Sequence, residues 1–279
     1  MEVIVKRISI LFLSLLLVAS CGRRPVEEVV KDLDSPDDAV RKRAAQELIM
    51  RDKEEVVPAL LNVLRTGSLR ARYIAIQILG RMRDPRVVEP IKGFLSFQNA
   101  HIRAAAAQAL GNLKAKEALG ALEEGLKDTS SLVREKVAWA LGKLDTAGSL
   151  PSLRKAIGDP SMKVRRSALV SLAELYPKLK DAENKGEVLR LVRERMEDPA
   201  PQVRYVAVQI AGILRDRHAV PLLIERLEDP LHSIRQKAAH SLGDIGDPRA
   251  IPYLKEMLSS EDIGDQEAAR WALRRMEER

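Results

Sequence analysis

The residues able to do chemistry in this chain are few and lie far apart. The only cysteine, Cys21, stands between the apolar run ending in LVAS and the pair Arg23 and Arg24. A lone thiol makes no intramolecular disulfide, so no disulfide framework accounts for it, and it is either a lipidation site or an incidental cysteine. The four histidines, His101, His218, His232 and His240, are scattered, and neither they nor Cys21 show metal-ligand spacing. GDIG at 243–246 reads as a turn rather than a phosphate loop. With no catalytic constellation, no metal and no cofactor signal, the chain is expected not to be an enzyme. The remaining chemistry is ionic. Arg41, Arg72, Arg103, Arg134, Arg165, Arg204 and Arg235 recur in register, as do Asp128, Asp159, Asp198 and Asp229, and guanidinium and carboxylate form strong charge-assisted hydrogen bonds.

Elements must hold these groups. At the N-terminus Lys6 and Arg7 precede an apolar stretch from Ile8 to Val18 and the small pair Ala19 and Ser20, the pattern of a secretory signal peptide over residues 1–20. The stretch is too short to span the roughly 30 Å of bilayer hydrocarbon comfortably. Val18-Ala19-Ser20-Cys21 resembles the bacterial lipobox. That resemblance implies lipidation of Cys21 as the first mature residue, with residues 21–25 as a short tether. Gly22 after the cysteine implies outer rather than inner membrane, on the periplasmic face.

From Arg41 onward the chain is periodic. The arginine column steps by 31 residues except between Arg165 and Arg204, where 39 residues imply an eight-residue insertion in the fifth repeat. Three residues after each arginine stands Ala or Val, and seven after it Leu, or Ala211 in one copy. Val133, Val137, Ala138, Leu141 and Leu144 typify the apolar face of a first helix. Ser35, Thr66, Phe97, Asp128, Asp159, Asp198, Asp229 and Ser260 precede it as candidate caps, with Pro36, Pro160, Pro199 and Pro230 at the expected first helical position. A second helix, typified by AIPYLKEML, is expected to hold Pro58, Pro151, Pro221 or Pro252 in its first turn. Val26, Val29 and Leu33 fit an incomplete leading repeat. Asp265 and Arg270 are expected to face water on the last helix as a cap.

This pattern resembles the HEAT-like repeats of the phycobilin-lyase type. The resemblance implies an all-α chain over residues 26–279, a right-handed α-solenoid of stacked helix pairs with neighbours sharing one core. A HEAT-repeat metalloenzyme, deoxyhypusine hydroxylase, uses His-Glu pairs, and no His-Glu dipeptide occurs in this sequence.

The arginine column lies close to the apolar face of the first helix, so a structural ladder with the aspartates of adjacent repeats is expected, rather than an anion-binding stripe. Net charge is +7, or +6 from Cys21 onward, with charges interleaved. Nucleic acid is therefore not an expected partner. Two surfaces are candidates for a protein or peptide partner. One, on the second helices, carries Leu191, Glu194, Leu222, Glu225, Tyr253 and Glu256, an acidic and apolar set suited to a basic or amphipathic peptide. The other, on the first helices, carries Tyr205, Val206 and Ile213. The insertion, within YPKLKDAENKGE at 176–187, either covers the region of Val170 and Val206 or lengthens a helix. The expected function is a membrane-anchored scaffold or adaptor in the cell envelope. The alternative implied by the resemblance is a bilin-lyase-like or chaperone-like subunit.

Overall fold

A computed structural model describes residues 23–278. The expected signal peptide at residues 1–20 and Cys21 lie outside the described residues. The chain falls into two compact units, one ending at Met82 and the other beginning at Arg83. Both are built from helices and short 3-10 turns, and among the described residues no helix is long and apolar enough to cross a membrane.

The first unit contains α1 (Val26–Lys31), α2 (Asp38–Ile49), α3 (Lys53–Thr66) and α4 (Leu69–Leu79). Val26, Val29 and Leu33 are buried, and α1 packs on α2 and α3 as an incomplete repeat. Pro58 departs from expectation. The Asp52 carboxylate accepts from the Glu54 NH and starts α3 early, which places Pro58 inside the helix rather than in its first turn.

The second unit alternates short helices with long ones. The short helices are α5 (Val88–Lys92), α7 (Leu119–Gly125), α9 (Leu150–Ala156), α13 (Val220–Glu225) and α15 (Ile251–Met257), and the equivalent position between α10 and α12 is held by a longer helix, α11 (Ala182–Glu194). The long ones are α6 (Ala100–Leu113), α8 (Ser131–Lys143), α10 (Met162–Leu175), α12 (Pro201–Ile213), α14 (His232–Ile245) and α16 (Ile263–Glu277). Each long helix packs on the next, and each short helix packs on the long helix that follows. On α8, Val133, Val137 and Leu141 are completely or almost completely buried. Burial of one such side chain is worth about 1.5–3 kcal/mol, which drives the stacking.

Most second helices are shorter than their sequence pattern suggests. A 3-10 turn opens them, as at Lys116–Ala118, Ala147–Ser149 and Pro248–Ala250, and Pro151, Pro221 and Pro252 sit in the first turn of α9, α13 and α15. The insertion lengthens α11 instead of covering Val170, which is 39% exposed. Tyr176–Lys178 forms a 3-10 turn before α11, Leu179 is buried, and the Lys185 ammonium lies 5.7 Å from the Tyr176 ring centroid.

The expected caps of the long helices prove to stand outside them. Capping positions fall two residues later, at Asn99, Ser130, Ser161, Ala200, Leu231 and Asp262. Pro36, Pro160, Pro199 and Pro230 therefore precede their helices, and the proline that does open one is Pro201. The displaced aspartates have a different task.

The long helices approach closely. A Cβ on Gly142 would sit 2.8 Å from the Ser171 Cα, and one on Gly212 2.8 Å from the Ser241 Cα. At these crossings the Ser171 hydroxyl donates to the Ala138 carbonyl and the Ser241 hydroxyl to the Val208 carbonyl, both at 2.9 Å. Beside the insertion, the equivalent positions hold Ala173 and Ile210.

Candidate functional site

In the second unit the arginine column binds the aspartate column across repeats. Arg103 donates from Nε and Nη2 to the Asp128 carboxylate at 2.6 and 2.8 Å, and Arg134 to Asp159 at 2.7 and 3.1 Å. Arg165 grips Asp198 at 2.7 Å through both nitrogens, and Arg204 grips Asp229 at 2.9 and 3.1 Å. The third guanidinium nitrogen points backwards, with Nη1 of Arg134 donating to the Asp128 carbonyl and that of Arg165 to the Asp159 carbonyl. Each aspartate also accepts from the backbone NH two residues on, at Ser130, Ser161, Ala200 or Leu231. One rung thus ties the entrance of its own helix to the entrance of the next.

These rungs are sheltered: Arg165 is 9% exposed and Asp198 3%. The hydrogen bond from Arg103 holds the Asp128 carboxyl below the usual carboxylate range, against the opposing effect of burial. At Asp159, Asp198 and Asp229 burial pushes the pKa up, but the arginine and the backbone NH outweigh it and leave the carboxyl lowered. In the first unit Arg41 donates to the Ser35 and Pro36 carbonyls and to Asp38, while Arg72 donates to the Arg65 carbonyl.

The last rung is built differently. Ser260 stands in the aspartate column, and Arg235 instead donates to Asp265 Oδ2 at 2.7 Å. Asp265 is 1% exposed, so it does not face water as the sequence suggested, whereas Arg270 is exposed. Gln266, in the arginine column, donates from Nε2 to the Ser260 carbonyl and so keeps the backward contact of its predecessors.

A second aspartate set was not singled out in the sequence. Asp84, Asp216 and Asp247 open the 3-10 turns before α5, α13 and α15 by accepting from the backbone NH of Arg86, His218 and Arg249. Asp216 also takes Arg193 Nη1 at 2.5 Å, and the hydrogen bonds from Arg249 lower the Asp247 pKa to about 2. The Asp-Pro-Arg triplets at 84–86 and 247–249 carry the signal for two of the three.

The candidate partner residues separate in space. Leu191 is buried in the core of the second unit and is removed from that surface. Glu194 is exposed and pairs with Arg190 on the same helix, and Leu222 is half-buried. Glu225, Tyr253 and Glu256 do come together, lining an open groove of about 1240 Å³ along α13 and α15. On α12, Tyr205 and Val206 are half-buried, with the Lys237 ammonium 5.5 Å from the Tyr205 ring centroid, and Ile213 is 65% exposed. No group of three or more potential metal ligands occurs among the described residues.

Tandem helix pairs joined by repeated ionic rungs define an all-helical repeat protein of the α-solenoid class. The chain belongs to the HEAT-repeat family: the family model for HEAT repeats matches residues 26–100, 91–173 and 189–274. No curated protein matches it in sequence. Among solved structures, YibA of E. coli is similar at 19% identity and a TM-score of 0.69, over 94% of this chain and 96% of that one. An engineered protein matches at 20% identity and a TM-score of 0.55, over 91% and 79% of the two chains. Human deoxyhypusine hydroxylase is also found, at 20% identity and a TM-score of 0.40, over 91% and 96%. The expectation of a chain that is no enzyme is corrected here. An enzyme is among the similar structures, so HEAT-like repeats are compatible with catalysis and do not exclude it; this likeness assigns no activity to the present chain.

Proposed function

We propose that the chain is a lipid-anchored repeat scaffold of the bacterial cell envelope, tethered through Cys21 and offering its helical surface to a protein or peptide partner. The observation that carries this reading is the division of polar groups in the second unit. The column arginines there are engaged inside the repeats, whereas the open groove along α13 and α15 presents exposed carboxylates beside Tyr253. A framework held by internal ion pairs with an open acidic and apolar groove suits binding of another chain. The lipobox-like Val18-Ala19-Ser20-Cys21 supports the anchor, and Gly22 supports the outer membrane. Arg23 would add roughly 1 kcal/mol near anionic headgroups, whereas Arg24 is paired with Asp32 and Glu47.

The test is Cys21→Ser in cells, read by membrane fractionation and by labelling with a clickable fatty acid. The variant is expected in the soluble fraction, unlabelled, with helical circular dichroism intact. Its retention on membranes would sink the lipid anchor. Crosslinking in intact cells tests the scaffold, and failure of any neighbour to crosslink specifically counts against it.

A further inference from the structure

The terminal rung lacks a donor that the inner rungs possess. Both oxygens of Asp128, Asp159, Asp198 and Asp229 accept hydrogen bonds, because Nε and Nη2 of the arginine address them separately. Asp265 receives Arg235 Nε and the Ser260 hydroxyl, both on Oδ2. Its Oδ1 is buried with no hydrogen-bond partner. A buried acceptor oxygen without a donor is costly and calls for one.

Asp265 lines the same groove as Glu225, Glu228, Tyr253 and Glu256. The two arginines on that lining are engaged, Arg235 by Asp265, and Arg249 by Asp247 and the Arg217 carbonyl. Glu225, Glu228 and Glu256 are exposed, and of the three Glu225 forms an ion pair, with Arg226 at 3.5 Å. A chain with a net charge of +7 thus carries a locally acidic groove, with Pro221, Pro252 and a 48% exposed Tyr253 as its apolar surface.

We propose that this groove docks a basic peptide segment flanked by apolar residues, with an arginine of the ligand directed toward the Asp265 rung. A guanidinium carries five N–H donors in a planar fork and stacks on aromatic faces, so one side chain can address carboxylates and Tyr253 together. This rests on the reading of the chain as a partner-binding scaffold and names the partner's chemistry.

The experiment uses the full chain carrying Cys21→Ser and a fluorescent twelve-residue peptide of alternating leucine and arginine, with a leucine–glutamate peptide as its counterpart. The arginine peptide should bind saturably, the glutamate peptide should not, and Glu228→Gln with Glu256→Gln should weaken binding at least tenfold. Glu194→Gln, which removes an exposed carboxylate away from the groove, should leave binding within twofold. Asp265→Asn, checked for intact circular dichroism, should weaken the arginine peptide more than a lysine one. No saturable binding, equal binding of both peptides, or equal loss from Glu194→Gln overturns the groove. If crosslinking to an envelope partner persists undiminished in the Glu228→Gln, Glu256→Gln variant, the groove assignment fails while the scaffold reading stands.

Discussion

At the scale of single residues, Asp198 shows why the rungs matter to stability. It accepts two bonds from Arg165 and one from the Ala200 NH while almost fully buried. Asp198→Ala leaves a sheltered guanidinium without its carboxylate and should cost about 3–5 kcal/mol by urea denaturation. The double variant Arg165→Met with Asp198→Leu should recover most of that loss, because an apolar pair of similar size removes both desolvation costs. The same groups set the acid limit. Asp128, Asp159, Asp198 and Asp229 have folded pKa values below the ordinary one, and Asp247 lies at about 2. Their contribution is complete above the unfolded value of about 3.9 and is lost as pH falls through the folded values. Urea midpoints should therefore be level from about pH 5 to 7 and drop between about pH 4 and 2. A flat acid limb would contradict the ladder's ionic character. The two columns were legible because a 31-residue period makes them visible, and their pairing followed from the arginine's place beside the apolar face. Asp265 was misread because it lies outside the aspartate column, one residue before Gln266.

Among the elements, helix contact turns on small residues whose role sequence reasoning passed over. Gly142→Ala would press a methyl group against Ser171 and should cost about 1–3 kcal/mol, since neither backbone can retreat without disturbing the next repeat. The change should leave helical content unaltered and lower the denaturation midpoint. A residue one or two positions after a long helix tells the opposite story. Lys114, Asp145 and Arg215 take φ near +50°, the left-handed region, whereas the corresponding Gly246 takes 72°. Arg215→Gly should relieve that strain and be neutral to stabilising by about 1 kcal/mol in thermal unfolding. Marked destabilisation would show that Arg215 holds a contact outweighing its backbone cost. The long helices were readable from apolar spacing. The short ones were overestimated, because apolar residues recur through the 3-10 turns at their ends and periodicity does not separate a 3-10 turn from an α-helical one. Prolines misled for a related reason: Pro36, Pro160, Pro199 and Pro230 serve the turn before the helix, where a fixed φ is equally useful.

For the molecule as a whole, family and fold class were accessible from the period, while the assembly of the groove was not. Glu225 and Tyr253 are 28 positions apart in sequence, and only the stacking of α13 and α15 aligns their surfaces. Leu191 looked equivalent to its column mates, yet in the longer α11 it turns inward. The spacing of the rungs carries a further consequence. Arg165 and Asp198 are 33 positions apart where Arg134 and Asp159 are 25, yet both pairs close at 2.7 Å through Nε. The extra residues were absorbed by α11, so what the rung measures is the distance between consecutive helix entrances, whatever length of chain joins them. Gene-level loss of one unit should then be survivable. Removing residues 104–134 joins Arg103 to Glu135 and presents Arg103 to Asp159, recreating a rung from parts that never met. Such a shortened chain should refold cooperatively, as linear repeat arrays do, whereas removal of fifteen residues from the same stretch should not.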